Sequence, residues 1–595
     1  MTYTAHVDTF ASDNLPPRAQ WPELIYELPE LQFPERLNCA VELLDRWVAQ
    51  GQGDRLCLQG EGVRWSYAEL QAQANRIANV LVDDMQLVAG NRVLLRGANT
   101  PMLAACWFAV VKAGGIAVGS MPLLRAKELT QIVHKAEITH ALCDGRLAEE
   151  LKLARPGCPT LQHVLHFNSA MPDGLEALAQ AKAASFDKVD TDADDTCLIA
   201  FTSGTTGVPK GTLHFHRDVM AACACWPRHV LRPTADDVFI GSPPLAFTFG
   251  LGGLLLFPLS VGASSVLLEK ATPDTLPAAI ASYRASVCVT APTSYRAIAL
   301  QITGGASAHD LSSLRKCVSA GEALPAATRA LWKQATGIEL IDGIGATEML
   351  HIFISHDEAN ARPGATGWPV PGYRAAVLDD DLHPLPPGQV GRLAVKGPTG
   401  CRYLADERQR QYVQGGWNLT GDAYLMDESG CFIYQARTDD MIISGGYNIA
   451  GPEVEAALLL HPAVAECGVV GVADEERGQI VKAIVVLRPE HAPSEALAKT
   501  LQDFVKQSIA PYKYPRAIEF RTALPRTETG KLQRFKLRQE PAGKYCNRRA
   551  GSKLAATSTA WQPAAHKSSS PGRSAGTRNA NSRATTSWLK CARRC

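Results

Sequence analysis

Short apolar segments alternate with longer amphipathic segments along most of the chain, and this alternation limits the folds that it can adopt. Uninterrupted apolar runs are typical of strands buried on both faces of a sheet, whereas Ser66–Asp83 and Pro101–Lys112 have helical spacing. Alternating strands and helices predict an α/β fold with mostly parallel, buried strands. The predicted strands are RVLLR (92–96), THALCD (139–144), TCLIAFT (196–202), SSVLLE (264–269), ASVCVTA (285–291) and KCVSAGE (316–322).

A second, smaller α/β unit begins near Arg437. It contains two predicted helices, Pro452–His461 and Ser494–Ser508, and two predicted strands, ECGVVGV (466–472) and IVKAIVVL (480–487). The segment RTDDMIISGGYN that precedes these elements is polar and rich in Gly, as expected of a hinge. We therefore predict a large N-terminal domain over residues 1–436, a hinge over 437–446, a small mobile C-terminal domain over 447–540 and a tail over 541–595.

The composition is that of a globular protein with an unusual end. Of the 595 residues, 46% are hydrophobic and 20% charged, which excludes a largely disordered or fibrous chain. The tail from Pro541 to Cys595 carries 11 of the 60 Lys and Arg residues and no Asp or Glu, which leaves 49 basic against 59 acidic residues before it. The acidic body gives no case for nucleic acid, and the tail has neither the aromatic stripe nor the folded motif of a specific binder. We expect the tail to be disordered, and a reading-frame change near the end of the gene would explain it.

The cysteines and the apolar segments favour a reduced, cytoplasmic protein. The 16 Cys residues have no C-x-x-C pair and no regular spacing, so we expect free thiols rather than a disulfide framework. The N-terminus has neither the basic nor the apolar region of a signal peptide. Leu245–Leu268 carries no charge, but its Gly and Pro residues divide it into a helical and a strand-like part, which predicts a buried helix and strand rather than a membrane span.

A loop rich in Gly, Ser and Thr follows the apolar strand that ends near Thr202. Its sequence, TSGTTGVPKG from Thr202 to Gly211, can direct several backbone N–H groups and hydroxyls toward one point, and Lys210 adds a positive charge. These groups favour a phosphate. The loop is not a Walker A motif, because Gly211 rather than Ser or Thr follows the lysine.

The loop resembles the phosphate-binding signature of the adenylate-forming superfamily, and four further motifs in the same order resemble that superfamily between about residues 40 and 540. They are Asp342–Glu348 (DGIGATE), Thr420–Asp422 (TGD), Arg437–Gly446 (RTDDMIISGG) and Pro525–Lys531 (PRTETGK). The resemblance implies a two-step reaction. A carboxylate first attacks the α-phosphate of ATP to form an acyl-AMP and pyrophosphate, and a thiol, usually that of coenzyme A, then displaces AMP.

The resemblance also assigns roles to residues. Lys531 would contact the substrate carboxylate and the α-phosphate, Thr347 would bond the α-phosphate, and Glu348 would hold Mg²⁺, which prefers oxygen ligands. Asp439 occupies the hinge position, and the Gly445–Gly446 loop would line the coenzyme A channel after the small domain rotates. The remaining nucleotide-binding residues would be Thr202, Ser203, Gly204, Thr205, Thr206, Gly207, Lys210, Asp342, Asp422 and Arg437.

The acid substrate is expected to be aromatic. The segment Pro243–Gly250 lines the acid pocket in this superfamily, and here it contains no acidic residue. Because a buried α-ammonium group without a partner is costly, an α-amino acid is disfavoured as the substrate. The sequence after Glu348 resembles the aryl-CoA ligase branch, and the N-terminal segments resemble its 2-aminobenzoate–CoA ligases. The resemblance places a flat ring among Phe249, Ala320, Gly321, Gly345, His351 and Ile352.

His351 could exchange a hydrogen bond with an ortho amino or hydroxyl group, although a satisfied core histidine is an equal alternative. We favour 2-aminobenzoate, with benzoate or a hydroxybenzoate as the alternative. A carrier-protein thiol as acceptor and a luciferase-like oxygenase are further alternatives. His214, His216, Cys223 and Cys225 lack the spacing of a zinc site, and we assign no structural metal to them.

Overall fold

The structure is a computed structural model, and it describes residues 3–169, 171–202, 209–305, 309–438, 440–444, 447–474, 477–526 and 532–539. All of these fall within one compact unit, Met1–Asn547. The domain boundaries predicted at 436/437 and 446/447 therefore stay predictions. The tail over 541–595 lies outside the described residues.

A six-stranded sheet lies in the first part of the chain, and it carries the strand that leads into the phosphate loop. All neighbouring strands are parallel except the last two, which form an antiparallel hairpin. The strand Thr196–Thr202 has the predicted bounds, because its apolar residues are buried along nearly its whole length. In spatial order the strands are His163–Phe167, His140–Asp144, Arg92–Arg96, Ile116–Ser120, Thr196–Thr202 and Lys210–Phe215.

A nine-stranded sheet carries the Thr-Glu motif and the predicted acid pocket. Its central strands are parallel, and antiparallel pairs lie at its two ends. The strand predicted over 316–322 ends at Ala320, because Gly321 adopts a φ of 89°. The strand predicted over 264–269 ends at Val266. In spatial order the strands are Trp368–Pro369, Ile352–Ser355, Leu340–Gly345, Lys316–Ala320, Val287–Thr290, Val238–Gly241, Ser264–Val266, Leu56–Gly60 and Val63–Ser66.

Helices connect these strands. The helix predicted over Ser66–Asp83 begins after Ser66, where Ser66 and Glu69 form a capping box, and its last turns, Val80–Asp84, are π-helical. The helix Pro101–Lys112 has its predicted bounds, with Pro at its first position. The other α-helices before residue 440 are Phe10–Asp13, Arg46–Ala49, Ala126–Ala136, Ala148–Ala154, Leu175–Gln180, His216–Ala224, Thr248–Leu251, Phe257–Ser260, Leu276–Tyr283, Pro292–Thr303, Ala326–Thr336 and Gln409–Tyr412.

An antiparallel five-stranded sheet follows, which the apolar runs did not predict. Its strands are partly exposed and carry charged residues among apolar ones, so they lack the uninterrupted apolar runs of the first two sheets. The long strand Trp417–Met426 pairs with three neighbours and brings Asp422 beside Arg437. The strands are Arg374–Leu378, Val390–Lys396, Val413–Gln414, Trp417–Met426 and Phe432–Arg437.

The C-terminal part contains a mixed sheet with helices, as predicted. Its central strands, Val464–Asp474 and Gly478–Leu487, are longer than the predicted ones and pair along most of their length. The other strands are Ile442–Ser444, Tyr447–Ile449 and Ala517–Arg521, and the α-helices are Gly451–Leu458, Glu495–Ser508 and Arg534–Gln539. The α/β fold, with a large N-terminal part of mostly parallel sheets and a smaller C-terminal part, is thus confirmed.

The uncharged segment Leu245–Leu268 is folded into the core. It forms a short buried helix with a π-helical turn at Gly252–Leu256, followed by the strand Ser264–Val266, as its Gly and Pro residues indicated. Within the described ranges, none of the helices combines the length and apolar character needed to cross a bilayer.

Candidate active site

The phosphate loop connects the two antiparallel strands that end the six-stranded sheet. Thr202 and Lys210 are paired across this hairpin, so the loop begins and ends at one place. The Thr202 hydroxyl is buried and has no hydrogen-bond partner among the described residues. A buried polar atom left in this state favours a ligand at the loop. Five predicted phosphate-binding residues lie outside the described residues: Ser203, Gly204, Thr205, Thr206 and Gly207.

Lys210 and Glu348 lie close together, and the hydroxyl of Tyr403 bonds to both. The Lys210 Nζ donates a hydrogen bond to Tyr403 Oη over 2.8 Å, and this hydroxyl donates to Glu348 Oε1 over 2.5 Å. The direct distance from Nζ to Oε1 is 3.6 Å. Two residues that were assigned to phosphate and to magnesium from separate motifs are therefore in one buried group. Tyr403 was not predicted, since no local pattern marks it.

Thr347 is joined to the strand that leaves the phosphate loop. His214, in the strand Lys210–Phe215, has its Nε2 2.8 Å from the carbonyl oxygen of Thr347. Burial lowers the pKa of His214 to about 4, so the imidazole is neutral and its Nε2 carries the proton that this bond needs. His214 thus connects the phosphate loop with the Thr-Glu motif, a role that sequence reasoning missed.

Asp342 is a buried carboxyl group on the strand Leu340–Gly345. Burial is the main cause that raises its pKa to about 7, although Arg329 opposes the shift. Its Oδ1 has no partner among the described residues. Its backbone is held on both sides, because Ser355 Oγ donates to its carbonyl over 2.5 Å and its N–H donates to His356 Nε2 over 3.3 Å. The carboxyl group is therefore fixed and available to a ligand.

Asp422 and Arg437 face each other across two antiparallel strands. Arg437 Nη1 lies 3.2 Å from Asp422 Oδ1 and donates to the Thr420 carbonyl over 3.1 Å. Gly421 between them adopts a φ of +77°, and a Cβ there would lie 2.8 Å from Arg437 Nη2. The left-handed backbone favours glycine at this position, beside the two residues assigned to ribose.

The predicted aromatic pocket lies at the ends of adjacent strands. Ala320 is in register with Gly343, and Gly345 is in register with Ile352. A Cβ on Gly345 would lie 2.8 Å from the His351 carbonyl oxygen, so only glycine allows the two strands to approach there. Gly321 follows directly after Ala320 in a left-handed conformation. The structure thus brings these pocket residues to one edge of the nine-stranded sheet.

His351 lies among aromatic side chains. Its ring centroid is 4.4 Å from that of Phe257, 5.7 Å from that of Trp226 and 5.8 Å from that of Phe249. A Cβ on Gly252 would lie 2.4 Å from His351 Cδ2, so the π-helical turn leaves the space that the imidazole occupies. Burial lowers the pKa of His351 to about 3. The ring is therefore neutral.

The two nitrogens of His351 differ in their partners. Nε2 lies 3.4 Å from the Phe249 carbonyl oxygen, whereas Nδ1 is buried without a hydrogen-bond partner among the described residues. In the neutral ring Nε2 carries the proton because it faces a carbonyl oxygen, so Nδ1 can accept one hydrogen bond from a ligand. The alternative of a fully satisfied core histidine is thus disfavoured.

The C-terminal part contacts this edge of the sheet. Arg526 Nη1 lies 3.3 Å from a carboxylate oxygen of Glu322, which follows Gly321, and Arg526 also pairs with Glu466. Arg296 Nε donates to the carbonyl of Ala465 over 3.1 Å. The predicted Lys531, Asp439, Gly445 and Gly446 lie outside the described residues.

The residues near the phosphate loop fit a hard cation. Glu348 offers a buried carboxylate, and Thr202 offers a hydroxyl that has no partner within the described part of the chain; both are oxygen donors of the kind that Mg²⁺ binds. Lys210 is part of the same group and would balance the charge of phosphates.

His216 lies beside two buried thiols, those of Cys39 and Cys197, neither of which was considered from the sequence. Its Nδ1 already accepts the Cys39 backbone N–H over 3.1 Å, and the two Sγ atoms are 4.0 Å apart. The nitrogen lone pair is thus engaged by the protein, and we assign no metal there.

Comparison with known proteins adds independent findings. Residues 44–403 match the AMP-binding enzyme family, and residues 453–531 match the AMP-binding enzyme C-terminal domain. The chain is 34% identical to the benzoate–CoA ligase of Thauera aromatica over 514 residues, which covers 86% of this chain and 97% of that protein.

Two solved structures are also similar. One is an anthranilate CoA ligase, AuaEII, in complex with anthranoyl-AMP, with a TM-score of 0.81, 35% identity and coverage of 86% of this chain and 98% of that chain. The other is a benzoate CoA ligase from Burkholderia xenovorans LB400, with a TM-score of 0.77, 33% identity and coverage of 84% and 100%. The similarity therefore extends over both parts of the fold.

Proposed function

The chain belongs to the AMP-binding enzyme family and is an AMP-forming acid–thiol ligase, and from this premise we propose that it activates an aromatic carboxylate, 2-aminobenzoate being favoured, and transfers it to coenzyme A. Family membership implies the use of ATP and coenzyme A. The observation that carries the choice of acid is the neutral His351, whose buried Nδ1 has no partner among the described residues and which lies among aromatic rings.

In the first step, a carboxylate oxygen attacks the α-phosphorus of ATP and pyrophosphate leaves. Both reactants are anions, so the site must supply positive charge before they approach. We assign this role to Lys210 and Lys531, and we assign to Thr347 a hydrogen bond to the α-phosphate. Mg²⁺, held by Glu348, would supply further charge neutralisation. The buried oxygens near Lys210 support this assignment.

The nucleoside would be held by three residues that lie on three strands of two sheets. Asp422 would accept bonds from the ribose hydroxyls with Arg437 beside it, and their pairing across two strands supports a joint role. Asp342 would contact the nucleotide through its unpartnered oxygen.

In the second step, the coenzyme A thiolate attacks the acyl carbon and AMP leaves. One site then serves two nucleophiles, so Lys531 must withdraw before the thiol enters. We propose that the hinge at Asp439 permits this rotation and that the Gly445–Gly446 loop then lines the thiol channel. The contact of Arg526 with Glu322 supports an arrangement in which the Lys531 motif lies near the acid pocket.

The ring of the acid would lie against Phe249, between the glycine-walled strand ends of Gly321 and Gly345. An ortho amino group could bond His351 Nδ1, which a benzoate ring would leave without a partner, and an unpaired buried polar group is costly. The likeness to the anthranilate ligase supports this choice. Benzoate is the second candidate, favoured by the 34% identity to a benzoate–CoA ligase.

A panel of acids tests the proposal. Pyrophosphate release and thioester formation are measured with 2-aminobenzoate, benzoate, 2-hydroxybenzoate, a fatty acid and an amino acid. We expect the highest kcat/KM for 2-aminobenzoate. Highest activity with the fatty acid would overturn the aromatic pocket, whereas highest activity with benzoate would overturn only the choice of acid.

A further inference from the structure

Tyr403 lies between two charged residues that the proposed function places on phosphate and on magnesium. We propose that Tyr403 is a positioning residue, which prevents a direct hydrogen bond between Lys210 and Glu348 and so allows Mg²⁺ to bind the Glu348 carboxylate together with ATP. This inference rests on the proposed function, and it adds a residue that no motif contains. The juxtaposition that carries it is the chain of contacts from Lys210 Nζ through Tyr403 Oη to Glu348 Oε1.

The direction of both hydrogen bonds is fixed by chemistry. A lysine ammonium only donates and an ionised carboxylate only accepts, so Tyr403 Oη accepts from Lys210 and donates its single proton to Glu348. A phenol has an ordinary pKa of about 10, so the hydroxyl retains that proton at neutral pH. A neutral hydroxyl therefore satisfies both charges at once.

The position of Tyr403 does not depend on its hydroxyl. Its backbone N–H donates to Gln409 Oε1 over 2.9 Å. Its backbone also forms an isolated antiparallel β-bridge with Thr212. Its ring packs edge-on against Tyr412, with the centroids 5.7 Å apart. Lys210 Nζ also lies over the Tyr403 ring, 4.8 Å from its centroid. A phenylalanine would keep all of these contacts and lose only the two bonds of Oη.

Loss of the hydroxyl has a specific consequence for Glu348. The Lys210 ammonium is 3.6 Å from Oε1, which is within ion-pair distance but too far for a hydrogen bond, so without Oη it would move into a direct hydrogen bond with this carboxylate. A direct ion pair in a buried place is strong, because little water screens it. Mg²⁺ would then have to displace the lysine before it could bind Glu348. A Tyr403→Phe variant is therefore expected to need more Mg²⁺ for the same binding of ATP.

The test measures ATP binding rather than turnover. Radiolabelled ATP is bound to the full chain by equilibrium dialysis at increasing Mg²⁺, without acid or coenzyme A. We expect Tyr403→Phe to raise the half-saturating Mg²⁺ about tenfold, the change that corresponds to one hydrogen bond to a charged group. The matched control is Tyr67→Phe, which removes a buried hydroxyl that donates to the Ala263 carbonyl oxygen over 2.6 Å. This variant should stay within twofold of the wild type.

A second pair of variants separates positioning from a general structural effect. In a Lys210→Ala background the competing ammonium is gone, so adding Tyr403→Phe should change the half-saturating Mg²⁺ by less than twofold. A single-variant shift below twofold, or an equal shift in both backgrounds, would overturn the inference. Wild-type chain that binds no ATP at any Mg²⁺ concentration would instead overturn the proposed function.

Discussion

Arg526 and Glu322 form an ion pair between the C-terminal part of the chain and the edge of the predicted acid pocket. The guanidinium Nη1 lies 3.3 Å from the carboxylate, and the two side chains are 25% and 17% exposed. Arg526 belongs to the same motif as Lys531, and Glu322 follows the pocket residues Ala320 and Gly321. The pair therefore holds Arg526 beside the predicted acid pocket.

Removal of this ion pair should slow the first half-reaction only. For Arg526→Gln we expect acyl-AMP formation to fall several-fold, because a partly exposed ion pair contributes about 1 kcal/mol at most. Conversion of supplied acyl-AMP to the thioester, measured separately, should stay within twofold. The control is Arg374→Gln, which removes an exposed pair with Glu27. A larger loss in the second half-reaction would contradict the assigned role of the pair.

Replacement of Lys531 should slow the first half-reaction much more than the second. Lys531→Ala removes the charge that we assign between the carboxylate and the α-phosphate, so pyrophosphate release should fall by about two or more orders of magnitude. Thioester formation from supplied acyl-AMP should survive, because it does not need this charge. Equal losses in both assays would show that the lysine acts elsewhere.

The sequence identified the parts of the fold in which burial leaves a simple pattern. Thr196–Thr202 and Pro101–Lys112 have their predicted bounds, because one is apolar throughout and the other begins at Pro101 with a Thr100 cap. The antiparallel sheet over residues 374–437 was missed, since Arg392 and Lys396 interrupt the apolar residues of one of its strands. Local patterns thus predict strands that are buried on both faces better than half-exposed ones.

The site was predicted only where residues lie in a motif. Lys210 and Glu348 were assigned from two motifs, but their contact through Tyr403 depends on three distant segments meeting in space. His214 was considered only as a metal ligand, and its bond to Thr347 joins positions far apart in the sequence. Contacts of this kind leave no spacing that a single sequence could reveal.

Substitution of His351 should change which acid is preferred. His351→Phe removes the nitrogen that we assign to an ortho amino group, so the ratio of kcat/KM for 2-aminobenzoate to that for benzoate should fall about tenfold. His351→Gln, which keeps polar atoms, should lose less. Since burial lowers the pKa of His351 to about 3, the wild-type ratio should be constant between about pH 5.5 and 8. If His351→Phe left the ratio of kcat/KM for 2-aminobenzoate to that for benzoate unchanged, His351 would not contact the ortho amino group.

Asp342 should make the folded protein less stable as the pH rises. Its pKa is raised by burial from 3.8 to about 7, so the folded state binds a proton that the unfolded chain releases. The free energy of unfolding of the ligand-free protein therefore falls between about pH 4 and pH 7 and is level above. Relative to the wild type, Asp342→Asn should gain stability over that window, by up to ~4 kcal/mol.

Urea unfolding at several pH values measures this effect, and Asp144→Asn is its control. Burial opposes the shift, but hydrogen bonds from Arg146 and Asn168 hold the pKa of Asp144 below its usual value. This carboxylate therefore stabilises the fold above about pH 4, and the contribution is lost as the pH falls through its lowered pKa. Its Asn variant should lose stability relative to the wild type as the pH rises. The same pH dependence in both variants would contradict the pKa shift that burial gives Asp342.

The most direct test of the proposed reaction follows the carboxylate oxygens. With 2-aminobenzoate labelled with ¹⁸O in both carboxylate oxygens, attack on the α-phosphorus places one labelled oxygen between the acyl group and AMP. Displacement by the coenzyme A thiolate leaves that oxygen on AMP and the other on the thioester. Mass spectrometry should therefore find one ¹⁸O in the released AMP. Label in pyrophosphate, or thioester formation with unlabelled AMP, would contradict the proposed acyl-AMP route.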